Sequence, residues 1–274
     1  MQALQDGRLR WHETATVTYG APLAPPLPSW LRCAFTTRHA GRSGQQLNLS
    51  FNRGVHHEVL THRQQVLQAM GLDGVPLCTV RQVHGNQVCV VDVETMRAGW
   101  TSVEGDALVT SLPQVALGVL VADCLPLVLY TLEIPIVAVI HAGRMGTYHR
   151  IVMQVLEVMA DRFGVSPAQV HAILGPAIGG CCYTLDIRAV QPFQERFPGW
   201  ETFFTSCGVE RWTMSLTAAN TVQLREAGVP AAHIVTASPC TVCHNAYLFS
   251  HRAEGPGAGR GMALAAIVPA ALAI

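Results

Sequence analysis

The sequence predicts an α+β fold of two packed β-sheets with helices outside them. Two observations lead there. Between residues 107 and 140 apolar runs follow one another with no helical pattern between them, which reads as antiparallel hairpins. Elsewhere, three segments carry apolar residues at helical spacing and each ends at a glycine. A parallel doubly wound sheet is the alternative, and the missing helices within 107–140 argue against it.

Taken in order, residues 1–30 contain the Pro-rich "APLAPPLPSW" and are expected to form a lead-in segment rather than a domain. One domain is expected over 31–274, since no repeat or shift in composition marks a boundary. Strands are expected at 33–36, 88–91, 107–110, 115–121, 127–130, 136–140, 170–174 and 234–236. Several of these are continuously apolar, which implies burial on both faces. The helices are "HRQQVLQAM" before Gly71, "YHRIVMQVLEVMADRF" before Gly164 and "LTAANTVQLREA" before Gly228. Glycine just past the last periodic residue accepts the left-handed turn that closes a helix. "IRAVQPFQERF" is a weaker fourth helix, interrupted by Pro192. The C-terminal "MALAAIVPAALAI" is broken by Pro269 and is read as a buried closing segment.

Half the residues are hydrophobic and 13% are charged, so the chain can bury a substantial core. The net charge is zero and the pI is near 7.2, which gives no electrostatic footprint for nucleic acid or an anionic membrane. No apolar run reaches the roughly 20 residues of a membrane span. The N-terminus has no apolar signal region, so a cytoplasmic protein is expected. The nine cysteines then read as thiols rather than disulfides.

Four groups of residues carry possible chemistry. His84 in "RQVHGNQV", Cys124 in "ADCLP" and His141 in "IHAGRMG" each sit beside Gly or Pro at a predicted strand edge. Two imidazoles and a thiolate suit Zn²⁺, and three protein ligands leave a fourth position open. By spacing alone each is better read as a satisfied core residue, because a chain this rich in Cys and His offers many such triples. Second, the glycine turns "HAGRMG" and "LGPAIGG" follow apolar strands. Their backbone N–H groups can face an anion, although an ordinary tight connection explains them as well. Third, "PCTVCHN" places Cys240 and Cys243 two residues apart. The spacing resembles half of a nucleobase-deaminase zinc signature, but the His56-x-Glu58 that would complete it stands far up the chain. A structural zinc half-site or plain buried thiols fit better. Fourth, Arg38, Asn48, Arg252 and Arg260 can hold an anion, with solvated surface as the default for each.

Nine short landmarks stand in order: "TTR", "LNLS", "QVHG", "DALVT", "ADCLPLVL", "HAG", "LGPAIGGCCY", "CT" and "FSHRAEG…GR". Together, from about Arg32 to Gly261, they resemble the laccase-domain or polyphenol-oxidase-like family, whose members are purine nucleoside phosphorylases with adenosine deaminase activity. The resemblance implies a β-sandwich of mixed sheets in α/β/β/α layers. It implies one zinc on His84, Cys124 and His141. It also implies phosphorolysis of adenosine, inosine, guanosine and methylthioadenosine to base and pentose 1-phosphate, plus hydrolytic deamination of adenosine. Purine nucleosides and inorganic phosphate are the expected partners, with a monomer or homodimer as the acting form.

Deamination needs a nucleophile at neutral pH and an acid/base for the leaving amine, and Asp123 beside Cys124 is the nearest such group in sequence. Phosphorolysis needs an anion pocket, for which Arg38, Asn48, Arg63, Gln82, Arg252 and Arg260 are the candidates. One departure stands out. The family reads His-Ala-Gly-Trp-Arg/Lys-Gly at the third ligand, and this chain reads His141-Ala142-Gly143-Arg144-Met145-Gly146. The aromatic is gone and the cation sits one position early. Copper is the alternative metal, giving a polyphenol oxidase, although the chain has no His-x-His pair of the multicopper kind. A cysteine hydrolase with Cys124 as nucleophile and His141 as base is a further alternative. So is a non-enzymatic protein with a decayed site.

Overall fold

The chain is described by a computed structural model over residues 9–23, 26–101 and 103–269. Its strands are β1 (Leu9–Glu13), β2 (Thr18–Pro22), β3 (Leu31–Thr36), β4 (Leu77–Thr79), β5 (Val88–Val90), β6 (Ala107–Thr110), β7 (Ala116–Val121) and β8 (Leu125–Thr131). They continue as β9 (Val137–Ala142), β10 (Val170–Leu174), β11 (Thr184–Asp186), β12 (Phe204–Gly208), β13 (Arg211–Met214), β14 (Ile234–Thr236) and β15 (Gly261–Ile267). The helices are α1 (His56–Ala69), α2 (Val93–Arg97), α3 (Arg144–Tyr148), α4 (Ile151–Phe163), α5 (Ile187–Arg196), α6 (Leu216–Glu226) and α7 (His251–Glu254).

Two six-stranded sheets form the sandwich, in the orders β1-β2-β3-β15-β7-β4 and β14-β10-β8-β9-β6-β5. A small third sheet runs β11-β13-β12. The pairs β4/β7, β5/β6 and β10/β14 are parallel and the other strand pairs antiparallel, so both large sheets are mixed. The period of two along each strand sorts side chains between layers. On β8, Val128 and Tyr130 face the other sheet and meet Phe35, Leu117 and Ala263. Leu125, Leu127 and Leu129 face the opposite way, onto Val155 and Met159 of α4 and Leu224 of α6. The outer face of the first sheet, with Ala34, Met262 and Leu264, is covered by Val66 and Leu67 of α1. The layers are therefore α/β/β/α, and strands apolar at every position follow from burial on both faces.

Three expectations change. Residues 9–22 are not a mere lead-in: β1 and β2 pair antiparallel, and β2 joins β3 with Tyr19 opposite Thr36. The Pro-rich stretch beyond it lies partly outside the described residues. The helix expected over 148–163 starts later, at Ile151, because Arg150 adopts a left-handed φ of 58° between α3 and α4. Pro192 does not interrupt α5, where buried Val190 and Phe193 hold the helix to the core. The C-terminal apolar run is buried as expected over Gly261–Ile267, where it forms β15 between β3 and β7. No helix of the described residues is long and apolar enough to cross a membrane.

Gly164 ends α4 at φ 70°, with its N–H donating to the Ala160 carbonyl. A Cβ there meets nothing within 4 Å, so backbone strain alone sets the cost of a side chain. Gly164→Ala is expected to destabilise by about 1–2 kcal/mol, read as a lower urea midpoint; an unchanged midpoint would mean that the turn relaxes freely.

What positions the site is the way the chain changes sheets. It leaves the first sheet at the end of β4 and enters the second at β5, and His84 lies in that crossing. It repeats the passage from β7 to β8, where Asp123 and Cys124 turn the corner. His141 closes β9, opposite Pro126 of β8. Three separate segments thus meet at one end of the sandwich.

Candidate metal centre and cavity

The ligand atoms of His84, Cys124 and His141 all lie within 4.8 Å of one another. The two imidazole rings stand edge to face, with centroids 4.8 Å apart. Gly143 makes the approach possible, since a Cβ there would sit 2.9 Å from Cys124 Sγ and 3.1 Å from the His84 ring. Two nitrogens and one sulfur, convergent and open on one side, fit a zinc-type ion with a free fourth position.

Asp106 organises the cluster and was given no role in the sequence. It is fully buried at the start of β6. Its Oδ1 accepts from the His84 N–H (3.0 Å) and pairs with His141 Nδ1 (2.8 Å). Its Oδ2 accepts from the N–H groups of Gly85 (2.7 Å) and Val83 (3.2 Å). A carboxylate only accepts, so His141 Nδ1 carries the proton and Nε2 is left as the ligand atom. One carboxylate therefore fixes both the His84 loop and the His141 tautomer. The only sequence signal for it was an acidic residue at the head of the apolar strand in "DALVT".

The electrostatics follow from the same contacts. Burial pushes the Cys124 thiol up, but the His141 charge and hydrogen bonds from His141 and His84 outweigh it and bring it down to about 6. Burial opposes charge on His141, while the Cys124 thiolate and the Asp106 hydrogen bond carry it up to about 9. Without a metal the pair is a thiolate–imidazolium, so the sulfur is already in the form a metal requires.

Backbone strain marks both sheet crossings. His84 and Asp123 hold φ of 60° and 92°, in the left-handed region that non-glycine residues rarely enter. At Asp123 the side chain secures that geometry. Its carboxylate accepts from Thr241 Oγ1 (2.5 Å), Ser250 Oγ (2.7 Å) and the Arg252 N–H (2.6 Å), while its carbonyl accepts from the Ile178 N–H (2.8 Å).

The triad opens into a cavity of about 580 Å³, well suited to a nucleoside-sized ligand. Leu120, Ile178, Leu216, Met145 and Tyr183 give it apolar wall, and Arg53, Arg81, Arg144, Arg252 and Arg260 give it charge. Of the residues expected to bind substrate, Gln82, Arg252 and Arg260 line this cavity and Arg38, Asn48 and Arg63 do not. Arg38 pairs with Glu254 at 2.9 Å and donates to the Asn245 carbonyl. Arg63 donates twice to the Leu49 carbonyl and stacks on Phe51. Asn48 accepts from the N–H groups of Ser50 and Arg260. These three brace the loops behind the cavity. Gln82 lines it, but its amide is spent on both backbone groups of Leu120. Arg53 and Arg81 are cavity arginines that sequence reasoning missed, because neither stands in a recognisable motif.

The two glycine turns part ways. "HAGRMG" opens α3, and Arg144 and Met145 both face the cavity, so the displaced cation is still present there. "LGPAIGG" starts no helix: its Gly179 N–H donates to Cys240 Sγ at 3.3 Å, so sulfur rather than a bound anion takes it.

A protein family described as multi-copper polyphenol oxidoreductase laccase matches residues 32–268. A relative from Geobacillus stearothermophilus named purine nucleoside phosphorylase YlmD is 31% identical over 259 residues, covering 85% of this chain and 93% of that protein. Adenosine deaminase RL5, from an unknown prokaryotic organism, is 36% identical over 209 residues, covering 74% and 79%. The crystal structure of the Geobacillus YlmD superposes with a TM-score of 0.85 at 28% identity, covering 94% of this chain and 99% of that one.

Proposed function

This chain belongs to the multi-copper polyphenol oxidoreductase laccase family, and we propose that it is a zinc-dependent purine nucleoside phosphorylase with adenosine deaminase activity. The observation that carries the reading is the convergence of His84, Cys124 and His141 at a cavity that pairs apolar wall with several guanidinium groups. A purine needs the first and a phosphate the second. The names of the relatives, phosphorylase and deaminase, support the same pair of reactions.

His84, Cys124 and His141 would hold the ion. When bound, zinc supplies Lewis acidity at an oxygen or nitrogen of the substrate or of water. The remaining work falls to the chain. In phosphorolysis a phosphate oxygen attacks C1′ of the ribose as the C1′–N9 bond breaks, and the bonding pair leaves with the purine. Arg252 and Arg260 would hold the phosphate, with Tyr183 beneath the Arg252 guanidinium at 5.2 Å. In deamination water adds at C6 of adenosine and ammonia departs, so one proton must travel from water to the amine. Asp123, in the cavity wall beside Cys124, is the proposed carrier, and it must release one of its three donors to act. The free thiols fit action in a reducing cytoplasm.

A second reading is favoured by the thiolate–imidazolium pair of Cys124 and His141, which is also the chemistry of a cysteine nucleophile. Metal dependence separates the two, because a thiolate bound to zinc is not free to attack. The test uses metal-stripped and zinc-loaded protein with adenosine, with and without phosphate, and products read by LC–MS. Adenine and ribose 1-phosphate are expected only with zinc and phosphate together, and inosine with zinc alone. Full turnover by stripped protein would overturn the zinc reading. Arg252→Ala is expected to raise the phosphate KM about ten- to a hundredfold, the worth of one charged hydrogen bond, at unchanged zinc content. An unchanged KM would place the phosphate elsewhere.

A further inference from the structure

We infer that the chain carries a second metal site, a structural zinc held by four thiolates: Cys181, Cys182, Cys240 and Cys243. The sequence offered only the half made by Cys240 and Cys243. The fold supplies the other half, because the "GGCCY" turn is brought against "CTVC". An isolated parallel bridge joins Ala177 to Cys240, and the Thr241 N–H donates to the Ala177 carbonyl at 3.0 Å. All four sulfurs then lie within 4.8 Å of one another.

The distances suit a metal better than a disulfide. Cys243 Sγ lies 3.6 Å from Cys181 Sγ and 3.5 Å from Cys182 Sγ. Zinc–sulfur bonds of ~2.3 Å in a tetrahedron place neighbouring sulfurs about 3.8 Å apart. A disulfide would choose one partner for Cys243, whereas an ion takes both at once. Cys240 has a backbone donor that suits anionic sulfur. The Gly179 N–H points at Cys240 Sγ, and a Cβ at Gly179 would sit 3.1 Å from Cys181 Sγ and 3.2 Å from Cys240 Cβ, so glycine gives the two turns room to close on one another. Four soft ligands with no oxygen donor among them select zinc over magnesium or calcium. Four protein ligands also close the coordination shell, which makes the site structural rather than catalytic.

The site has a purpose in the fold. Tyr183 follows the first pair of cysteines and lines the cavity, and Arg252 donates to the carbonyls of Thr184 (3.3 Å) and Cys182 (3.5 Å). Asp123 is anchored by Thr241, which stands between the second pair. A metal joining the two turns would therefore hold the cavity wall in place from behind.

The test removes the first site and reads metal rather than turnover, so it stands apart from the proposed activity. A His84→Ala/Cys124→Ser variant of the full chain is purified anaerobically, stripped, reloaded with zinc or cobalt(II), and desalted. One zinc per chain is expected, and the cobalt form should show the strong thiolate-to-metal charge-transfer absorption of a sulfur-rich tetrahedral site. Adding Cys243→Ser, or separately Cys181→Ser, should weaken that absorption and lower zinc retention. If either further variant fails to fold, the spectrum of the double variant still decides. No retained metal, metal without thiolate absorption, or a disulfide at Cys243 in the anaerobic protein would overturn the inference.

Discussion

Cys124→Ala in zinc-loaded protein is expected to lower kcat/KM for adenosine and inosine by about a thousandfold or more. That corresponds to about 4 kcal/mol of transition-state stabilisation, the scale of a Lewis acid lost from a reacting centre. The fold should survive, because the change removes one sulfur at the β7–β8 crossing and leaves the three donors to Asp123 in place. Zinc at the first site should fall with activity. His84→Ala should repeat the result with less effect on stability, since His84 is exposed and Cys124 is half-buried. Thermal unfolding, metal content and steady-state rates measured on one preparation separate the outcomes. A Cys124→Ala protein that keeps its rate would remove this cysteine from the chemistry under the zinc and the nucleophile readings alike. Loss of rate with full zinc content would point to the nucleophile.

The part of the fold legible in sequence was the part that is buried. Strands such as β8 and β9 are apolar at nearly every position because layers cover both faces, and composition alone announces that. The strands of the third sheet could not be read in this way. β12 exposes most of its residues and β13 buries only Met214, so their pairing is held by backbone bonds that leave no hydrophobic pattern. β15 hid for another reason: "GMALAAI" is rich in small residues and short of β-branched ones, although it lies between β3 and β7 in the first sheet. The site divided similarly. His84, Cys124 and His141 were visible as reactive side chains at chain turns, and the structure brings them together. Arg38 and Arg63 were visible as cations but are spent on Glu254 and on backbone carbonyls, and no spacing in sequence predicts such partners. Asp106 was passed over because three of its four partners are backbone N–H groups, which every residue but proline possesses.

Asp106 is therefore where a small change should have the largest effect on the metal centre without touching a ligand. Asp106→Ala leaves His141 Nδ1 and three backbone N–H groups without their acceptor, an expected loss of about 3–5 kcal/mol in folding stability for a broken buried pair. Asp106→Asn is the sharper test, because it keeps the shape. An amide has one acceptor and one donor end, and both carboxylate oxygens here face donors only. With the NH₂ at the Oδ1 position it meets the His84 N–H and His141 Nδ1, which drives the imidazole to the tautomer protonated on Nε2 and removes the ligand lone pair. With the NH₂ at the Oδ2 position it meets the N–H groups of Gly85 and Val83, and the loop carrying His84 loses its anchor. Neither orientation satisfies all four donors. Zinc affinity at the first site should fall about ten- to a hundredfold, read by competition with a chromogenic chelator in a Cys243→Ser background so that first-site zinc dominates the reading. Stability should fall less than for alanine. A wild-type affinity in Asp106→Asn would show that His141 binds without a fixed tautomer, and the organising role given to Asp106 would fail.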